Sequence, residues 1–301
     1  MKVFKTIDQF RQWRRNEFLE ARSVGFVPTM GALHAGHTGL IDHAKSENDS
    51  VVVSIFVNPA QFAPTEDFDS YPRSWETDKI KLQEKGKVDA VLLPLIAEMY
   101  PSGITLDVSQ QQGTFVHVQG LSHQLEGKAR PHFFRGVATV VSKLFNIVQP
   151  ETAYFGQKDI QQTVVLKALV RDLLIPTTVR VFPTLREDDG LALSSRNAYL
   201  SPDQRKHANA LWRGLSAARD VYLSHKDSSR DEILGAAQKI IDEVSQLTQC
   251  EVELEYISMA SPETLLEVGK AVDGTILSGA MRIGKKGQLV TRIIDNLILE
   301  S

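Results

Sequence analysis

Two histidines three residues apart, His34 and His37, sit in the stretch PTMGALHAGH, Pro28 to His37. Imidazoles at this spacing near the start of a helix can turn toward one anion and donate hydrogen bonds as charge builds on it. Gly31 and Gly36 let the main chain approach such an anion closely, because a Cβ would stand in the way. A plainer account has one histidine capping the helix and the other filling a pocket. The glycine-spaced turn between strand and helix favours anion contact. A metal pair would need further His or Cys at ligand spacing, and the neighbourhood offers none.

The elements that must position these imidazoles are a strand and a helix. Val24, Phe26 and Val27 read as a short apolar strand broken by Pro28. An amphipathic helix is expected from about His37, with Leu40, Ile41 and Ala44 inward. Val51 to Val57 (VVVSIFV) lacks polar alternation, as a strand buried on both faces of a parallel sheet would. Such a unit leaves N–H groups and the positive end of a helix dipole at the carboxyl edge of the sheet, where a phosphate chain can sit.

A second unit of the same kind reads from Thr152 to Phe155 as a strand, with Gly156 as the turn and a helix from Asp159. Its inner face carries Val164, Val165, Ala168 and Leu169. Lys158 then stands where an ammonium could meet an α- or β-phosphate. Asp159 caps the helix or contacts the nucleotide, and Gln162 lies one turn further on. Thr177 to Phe182 reads as the last parallel strand, and the loop after it contains Ser194, Ser195 and Arg196. Two hydroxyls and a guanidinium can wrap a triphosphate, although Ser-Ser-Arg alone is more often a surface turn. The Pro-rich loop after Val57 offers Asn58 and Gln61, neutral groups suited to a hydroxyl or carboxylate, or else simple turn chemistry.

Elsewhere, Thr6 and Gln9 suggest a capping box for a helix whose inner face carries Phe10, Trp13 and Phe18. Glu76–Lys85 reads as a helix, Val88–Leu93 as a buried strand, and Ile104–Val108 and Phe115–Val118 as short edge strands; Tyr100 could serve a lid. Gly127, Lys128, Arg130 and Arg135 precede a helix marked by Val137, Val140, Val141, Leu144, Phe145 and Val148, with Lys128 and Arg135 expected in solvated loop. Past Leu185 the pattern changes to helices Pro202–Leu223 and Arg230–Leu247, a one-sided strand Glu251–Ile257, and a hairpin across Gly284-Lys285-Lys286-Gly287. The first of these helices opens on Ser201-Pro202-Asp203-Gln204, with N-cap, N1 proline and N3 glutamine. The expected fold is α/β: a Rossmann-like doubly wound parallel sheet over residues 1–184 and a smaller C-terminal α+β domain over 185–301 that covers a nucleotide site.

The 301 residues carry a net charge of −3, which implies no basic face and makes nucleic acid an unexpected partner. One cysteine, Cys250, excludes an intrachain disulfide framework and fits a reducing compartment. The N-terminus lacks the apolar core of a signal peptide, and the longest apolar run, Ala90–Ala97, is too short to cross a bilayer. A soluble cytoplasmic protein with no membrane partner is expected.

Pro28 to His37 resembles the HxGH signature of nucleotidyltransferase-like enzymes and, in this longer form, the pantothenate synthetase (pantoate–β-alanine ligase) family. Three more segments resemble that family in matching order: FVNPAQF with DSYPR, FGQKDIQQ, and DGLALSSRN with Leu193 at its variable position. A fourth, LEGKARPHFFRGVATVV, resembles it except at His132-Phe133-Phe134, where the family has Gly-His-Phe; Phe133 therefore takes no catalytic role, while Arg130 and Gly136 match. The resemblance implies an HxGH-type Rossmann fold, ATP as co-substrate with Mg2+, pantoate and β-alanine as substrates, and a homodimer. It implies catalysis by His37, His34 and Lys158. Nucleotide contacts would come from Met30, Gly31, His34, Gly36, His37, Gly156, Lys158, Asp159, Leu185, Leu193, Ser194, Ser195 and Arg196. Pantoate contacts would come from Pro28, Thr29, Met30, Asn58, Gln61, Tyr71, Arg130 and Gln162, and no protein side chain is assigned to the metal. Rival readings are an adenylyltransferase for a phosphate-bearing acceptor, which would want extra cations beside Asn58, Gln61 and Gln162, an aminoacyl-tRNA synthetase, for which the chain is short, and a silent nucleotide sensor, which intact His34, His37 and Lys158 argue against.

Overall fold

The computed structural model describes residues 1–247, 250–285 and 288–300. Its strands are β1 (Lys2–Phe4), β2 (Val24–Thr29), β3 (Ser50–Ile55), β4 (Ala90–Leu92), β5 (Thr152–Gly156), β6 (Thr178–Phe182), β7 (Glu251–Ala260), β8 (Ile276–Lys285) and β9 (Gln288–Ile298). The helices are α1 (Ile7–Leu19), α2 (Ala35–Glu47), α3 (Trp75–Lys85), α4 (Ile96–Met99), α5 (Glu126–Ala129), α6 (Phe133–Val148), α7 (Ile160–Asp172), α8 (Pro202–Arg205), α9 (Ala210–Ser224) and α10 (Arg230–Leu247). Two compact units form. The first comprises Met1–His123, Gly127–Gly156 and Gln162–Phe182; the second comprises Gln124–Glu126, Gln157–Gln161 and the chain from Pro183.

In the first unit six strands pair in the order β1-β4-β3-β2-β5-β6, all parallel. Successive side chains of a strand point to opposite faces, and here both faces are apolar. Val24 and Phe26 of β2, Val52 of β3, Leu92 of β4 and Phe155 of β5 pack with Phe10 and Trp13 of α1, Val141 and Phe145 of α6, and Leu166 of α7. The alternate residues Val27, Val51, Val53, Val91 and Tyr154 pack with Ile41 and Ala44 of α2 and Leu82 of α3. Helices thus cover both faces, and the doubly wound sheet expected from sequence is present. The strand order reverses direction between β2 and β5, the switch point where such sheets take ligands at their carboxyl ends.

Pro28 does not break β2. Val24 O accepts from Glu151 N on the β5 side, while Thr29 O accepts from Phe56 N on the β3 side. Alternation therefore turns the Pro28 nitrogen toward β5, whose pairing with β2 extends only over Gly25 and Phe26. The missing N–H costs no ladder bond there.

Other expectations change for equally local reasons. Phe18 faces solvent at 73% exposure, and the inner face of α1 is Phe10, Trp13, Arg14 and Glu17. Arg14 takes the place by donating to Val148 O at 3.0 Å and Gln149 O at 2.8 Å, the carbonyls at the end of α6. Residues 104–107 and 115–118 are irregular rather than strands, and Val116 N donates to Thr139 Oγ1. Arg135 lies inside α6, where its guanidinium donates to Gln111 Oε1 at 2.5 Å and covers the Phe115 ring at 3.7 Å. The short strand β1 has no sequence signal of its own; it is parallel to β4.

The second unit packs α9 and α10 on the antiparallel sheet β7-β8-β9, with Leu211, Leu215, Ile233 and Ile241 against Met259, Leu277, Met281 and Ile293. Ser201 and Gln204 form the expected capping box, but α8 ends at Arg205 and α9 starts at Ala210. Arg205 is drawn to Glu187 at 2.5 Å and Asp189 at 2.6 Å. In the hairpin between β8 and β9, Lys286 and Gly287 lie outside the described residues.

The reassigned face of α1 has a direct test by urea unfolding. Phe10→Ala should cost about 3–5 kcal/mol, whereas Phe18→Ser should stay within about 0.5 kcal/mol of wild type. Equal losses at the two positions would contradict this packing.

Candidate active site

The turn from β2 to α2 bends through two left-handed residues, Gly31 at φ +90° and Ala32 at φ +51°. A Cβ on Gly31 would also press on Ile55 Cγ2 at 3.2 Å and Asp78 Oδ2 at 3.3 Å. Thr29, at the end of β2, donates from Oγ1 to Ser54 O at 2.8 Å and accepts from Gly31 N. Beneath the turn lies Asp78 of α3, fully shielded from solvent. Its Oδ2 accepts from Ala32 N at 2.9 Å and from Ser74 Oγ, and its Oδ1 accepts from Leu33 N at 2.8 Å. Lys81 of the same helix donates to Leu33 O at 2.6 Å. Asp78 does not stand out in the sequence, because an acidic residue in a first helical turn ordinarily signals only dipole compensation.

His34 is the N-cap of α2 and His37 lies in its first turn, with ring centroids 4.1 Å apart. His34 Nδ1 accepts from Gly36 N at 3.1 Å, and His37 Nδ1 accepts from His34 N at 3.3 Å. Both Nδ1 atoms are acceptors, so each neutral ring carries its proton on Nε2 and can donate from there. Capping and anion contact, alternatives when only the sequence is read, are compatible because they use opposite nitrogens. Gly36 is required for this: a Cβ would come within 2.8 Å of the His34 ring. Pro28 and Met30, also in this segment, are half-buried.

The second group in this unit centres on Asn58, which is 1% exposed. Its Oδ1 accepts from Tyr100 Oη at 2.6 Å, and its Nδ2 donates to Gln61 Oε1 at 2.8 Å and Gly136 O at 3.2 Å. Burial pushes the Tyr100 phenol well above its ordinary pKa, so it stays a donor. The Gln61 carboxamide is thereby oriented with its oxygen on Asn58 and its NH2 turned away as a donor. Gly136 is where α6 meets the Pro59–Gln61 turn, and a Cβ there would fall 2.1 Å from Ala60 O. Arg130 is held by Glu66 through two bonds of 2.7 Å and donates to Gln61 O at 2.9 Å. Its guanidinium lies 4.0 Å over the ring of Phe133, which with His132 is where the motif departs. Tyr71 is buried against Phe62, and Gln162 is half-buried on α7.

Gly156 ends β5 with open space beside it. The 3-10 turn Gln157–Asp159 follows and belongs to the second unit, as do Leu185 to Arg196. Lys158 Nζ lies 3.9 Å from Asp159 Oδ1. Asn296 Nδ2 donates to Lys158 O and Gln157 O. Leu193 N donates to Leu185 O, closing a small loop across the Arg186–Ala192 bridge. Ser194 caps the next turn by accepting from Arg196 N, and Ser195 and Arg196 lie half-buried within it. Among the described residues no grouping of His, Cys, Asp and Glu could hold a metal ion, and no helix is long and apolar enough to cross a membrane.

A doubly wound parallel sheet whose glycine turn at the switch point seats two imidazole donors on a helix N-terminus defines an α/β enzyme of the HxGH nucleotide-handling kind. The profile of the family described as Pantoate-beta-alanine ligase matches residues 2–298. The chain is 46% identical to the pantoate–β-alanine ligase of Saccharomyces cerevisiae, over 99% of this chain and 100% of that one. Its structure superposes on a pantothenate synthetase from Thermus thermophilus with a TM-score of 0.88 at 43% identity, covering both chains in full. It also matches a pantoate–β-alanine ligase from Francisella tularensis, solved with β,γ-ATP and β-alanine, with a TM-score of 0.76 at 35% identity over 100% of this chain and 98% of that one. The chain belongs to the pantoate–β-alanine ligase family.

Removing the Asp78 carboxylate deletes its bonds to the buried Leu33 N and the half-buried Ala32 N, at about 1–3 kcal/mol each. Asp78→Ala should therefore lose roughly 2–6 kcal/mol in urea unfolding, and Asp78→Asn, which keeps one acceptor, clearly less. An Asp78→Ala protein as stable as wild type would show that the turn needs no support from α3.

Proposed function

We propose that this chain is an ATP-dependent ligase that joins pantoate to β-alanine, giving pantothenate, AMP and pyrophosphate through a pantoyl adenylate. Membership of the family over nearly the whole chain supports the overall reaction. The relative solved with β,γ-ATP and β-alanine supports these two as substrates here. The observation that carries the reading is the imidazole pair, ring centroids 4.1 Å apart, each ring seated by its Nδ1 atom on the start of α2.

In the first half-reaction a pantoate carboxylate oxygen attacks the α-phosphorus of ATP; the new P–O bond forms as the bond to the β-phosphate oxygen breaks and pyrophosphate leaves. The carboxylate is already a nucleophile, so the protein's task is alignment and charge neutralisation. His34 and His37 donate from Nε2 to phosphate oxygens, and Lys158, Ser194, Ser195 and Arg196 bind the phosphate chain. Mg2+ arrives on ATP as part of the substrate. Gln61, with Asn58 fixing its rotamer, donates its NH2 to pantoate, and Gln162 and Tyr71 complete that pocket. Arg130 supports the Gln61 loop from Glu66. In the second half-reaction the β-alanine amine attacks the acyl carbon, the C–O bond to AMP breaks, and the amine gives up a proton. The adenylate is prone to hydrolysis, so water must be kept out, a task assigned to residues 185–301. A homodimer and a cytoplasmic setting complete the reading.

The deciding assay is AMP formation from ATP with each substrate omitted in turn. It should require both pantoate and β-alanine, and AMP release without pantoate would refute the proposal. His37→Ala and Lys158→Ala should each slow pyrophosphate release by about a hundredfold or more, and near-wild-type rates would remove them from the mechanism. Gln61→Ala should raise the KM for pantoate while leaving that for ATP little changed; a selective loss of ATP affinity would contradict its assignment.

A further inference from the structure

Asn296 lies on β9, 1% exposed, and its carboxamide is fully engaged. Nδ2 donates to two successive carbonyls, Gln157 O at 2.9 Å and Lys158 O at 2.8 Å. Oδ1 accepts from Gln157 Nε2 at 3.1 Å. One side chain therefore fixes both peptide planes that flank the Lys158 Cα. Its neighbour Asp295 accepts from Asn296 N and binds the Arg186 guanidinium through two bonds, of 2.6 and 2.9 Å. Arg186 also donates to Gly190 O and lies 3.5 Å over the Trp212 ring, so the loop that leads into Ser194–Arg196 hangs on the same strand. Gly190, at φ +91°, has no room for a Cβ beside Trp212.

We infer that Asn296 is a positioning residue for the ligation reaction: by capping the Gln157 and Lys158 carbonyls it sets the direction in which the Lys158 ammonium leaves the chain, while Asp295, through Arg186, ties the loop that leads into Ser194–Arg196 to the same strand. The inference rests on the reading of Lys158 as a phosphate-binding cation. The geometry gives it a physical basis. A 3-10 turn of three residues makes few bonds of its own, so outside bonds decide its orientation. A displacement of about 1 Å in a catalytic group can cost about a hundredfold in rate. The adjacent polar residues Asp295 and Asn296 also interrupt the apolar run of β9, and buried polar groups need partners.

A purely structural Asn296 would stabilise the unit without regard to Lys158, and a double-mutant cycle separates the two cases. Pantoate-dependent exchange of pyrophosphate into ATP is measured for wild type, Asn296→Ala, Lys158→Ala and the double variant, with thermal melts of each. Asn296→Ala should lower kcat/KM for ATP by about ten- to a hundredfold with the pantoate KM unchanged. In the Lys158→Ala background the same change should cost less than about threefold. Equal losses in both backgrounds, or no loss in either, would overturn the positioning role and leave the function of Lys158 standing. Full activity in Lys158→Ala alone would instead remove the reading on which the inference rests. Should Asn296→Ala fail to fold, Gln157→Ala deletes only the bond to Asn296 Oδ1. It should reduce exchange several-fold when Lys158 is present and leave it unchanged when Lys158 is absent; any other pattern overturns the inference.

Discussion

A tight turn packed against the protein interior cannot leave its N–H groups unpaired. This constraint organises the first unit around Asp78. The carboxylate beneath the β2–α2 turn takes the N–H groups of Ala32 and Leu33 on separate oxygens, and a serine hydroxyl adds a third donor. Lys81 of the same helix binds Leu33 O, so donor and acceptor of the same residue are both tied to α3. With the base of the turn satisfied in this way, Gly36 N and His34 N are left to the imidazoles. Orienting each imidazole by its own backbone bond costs no additional side chain.

Much of this is legible in the sequence. The short apolar strand at β2, the run without polar alternation at β3 and the periodicity of α6 point to a sheet covered on both faces, which buries them all. The glycine-spaced histidines mark the turn. What stays hidden is partners far apart in the chain, for which no local periodicity exists: Asp78 reaches back 45 residues to Leu33, and Asn296 reaches 138 to Lys158. Phe18 reads as inward because hydrophobicity favours it, whereas the end of α6 requires the guanidinium of Arg14 on that face. Asn58 reads as a ligand contact from its residue type, yet its polar atoms serve Tyr100, Gln61, Ala60 and Gly136.

The one departure inside the family motifs has a local explanation. Phe133 supplies a flat apolar surface under the Arg130 guanidinium, an arrangement favourable for a delocalised cation. Arg130 is thereby kept on Glu66 and the Gln61 carbonyl, so the substitution acts on the support of the polar loop.

The 138-residue separation of Lys158 and Asn296 also bears on how the chain comes off the ribosome. At about 5–20 residues per second, the strand that completes this turn is made roughly 7–28 s after the turn itself. Once Phe182 has been made, for the rest of that interval the first unit's sheet has all six of its strands, while the Lys158 carbonyl still lacks Asn296. A nascent chain can thus fold its parallel-sheet core early yet gain its ordered lysine only after β9 has been made.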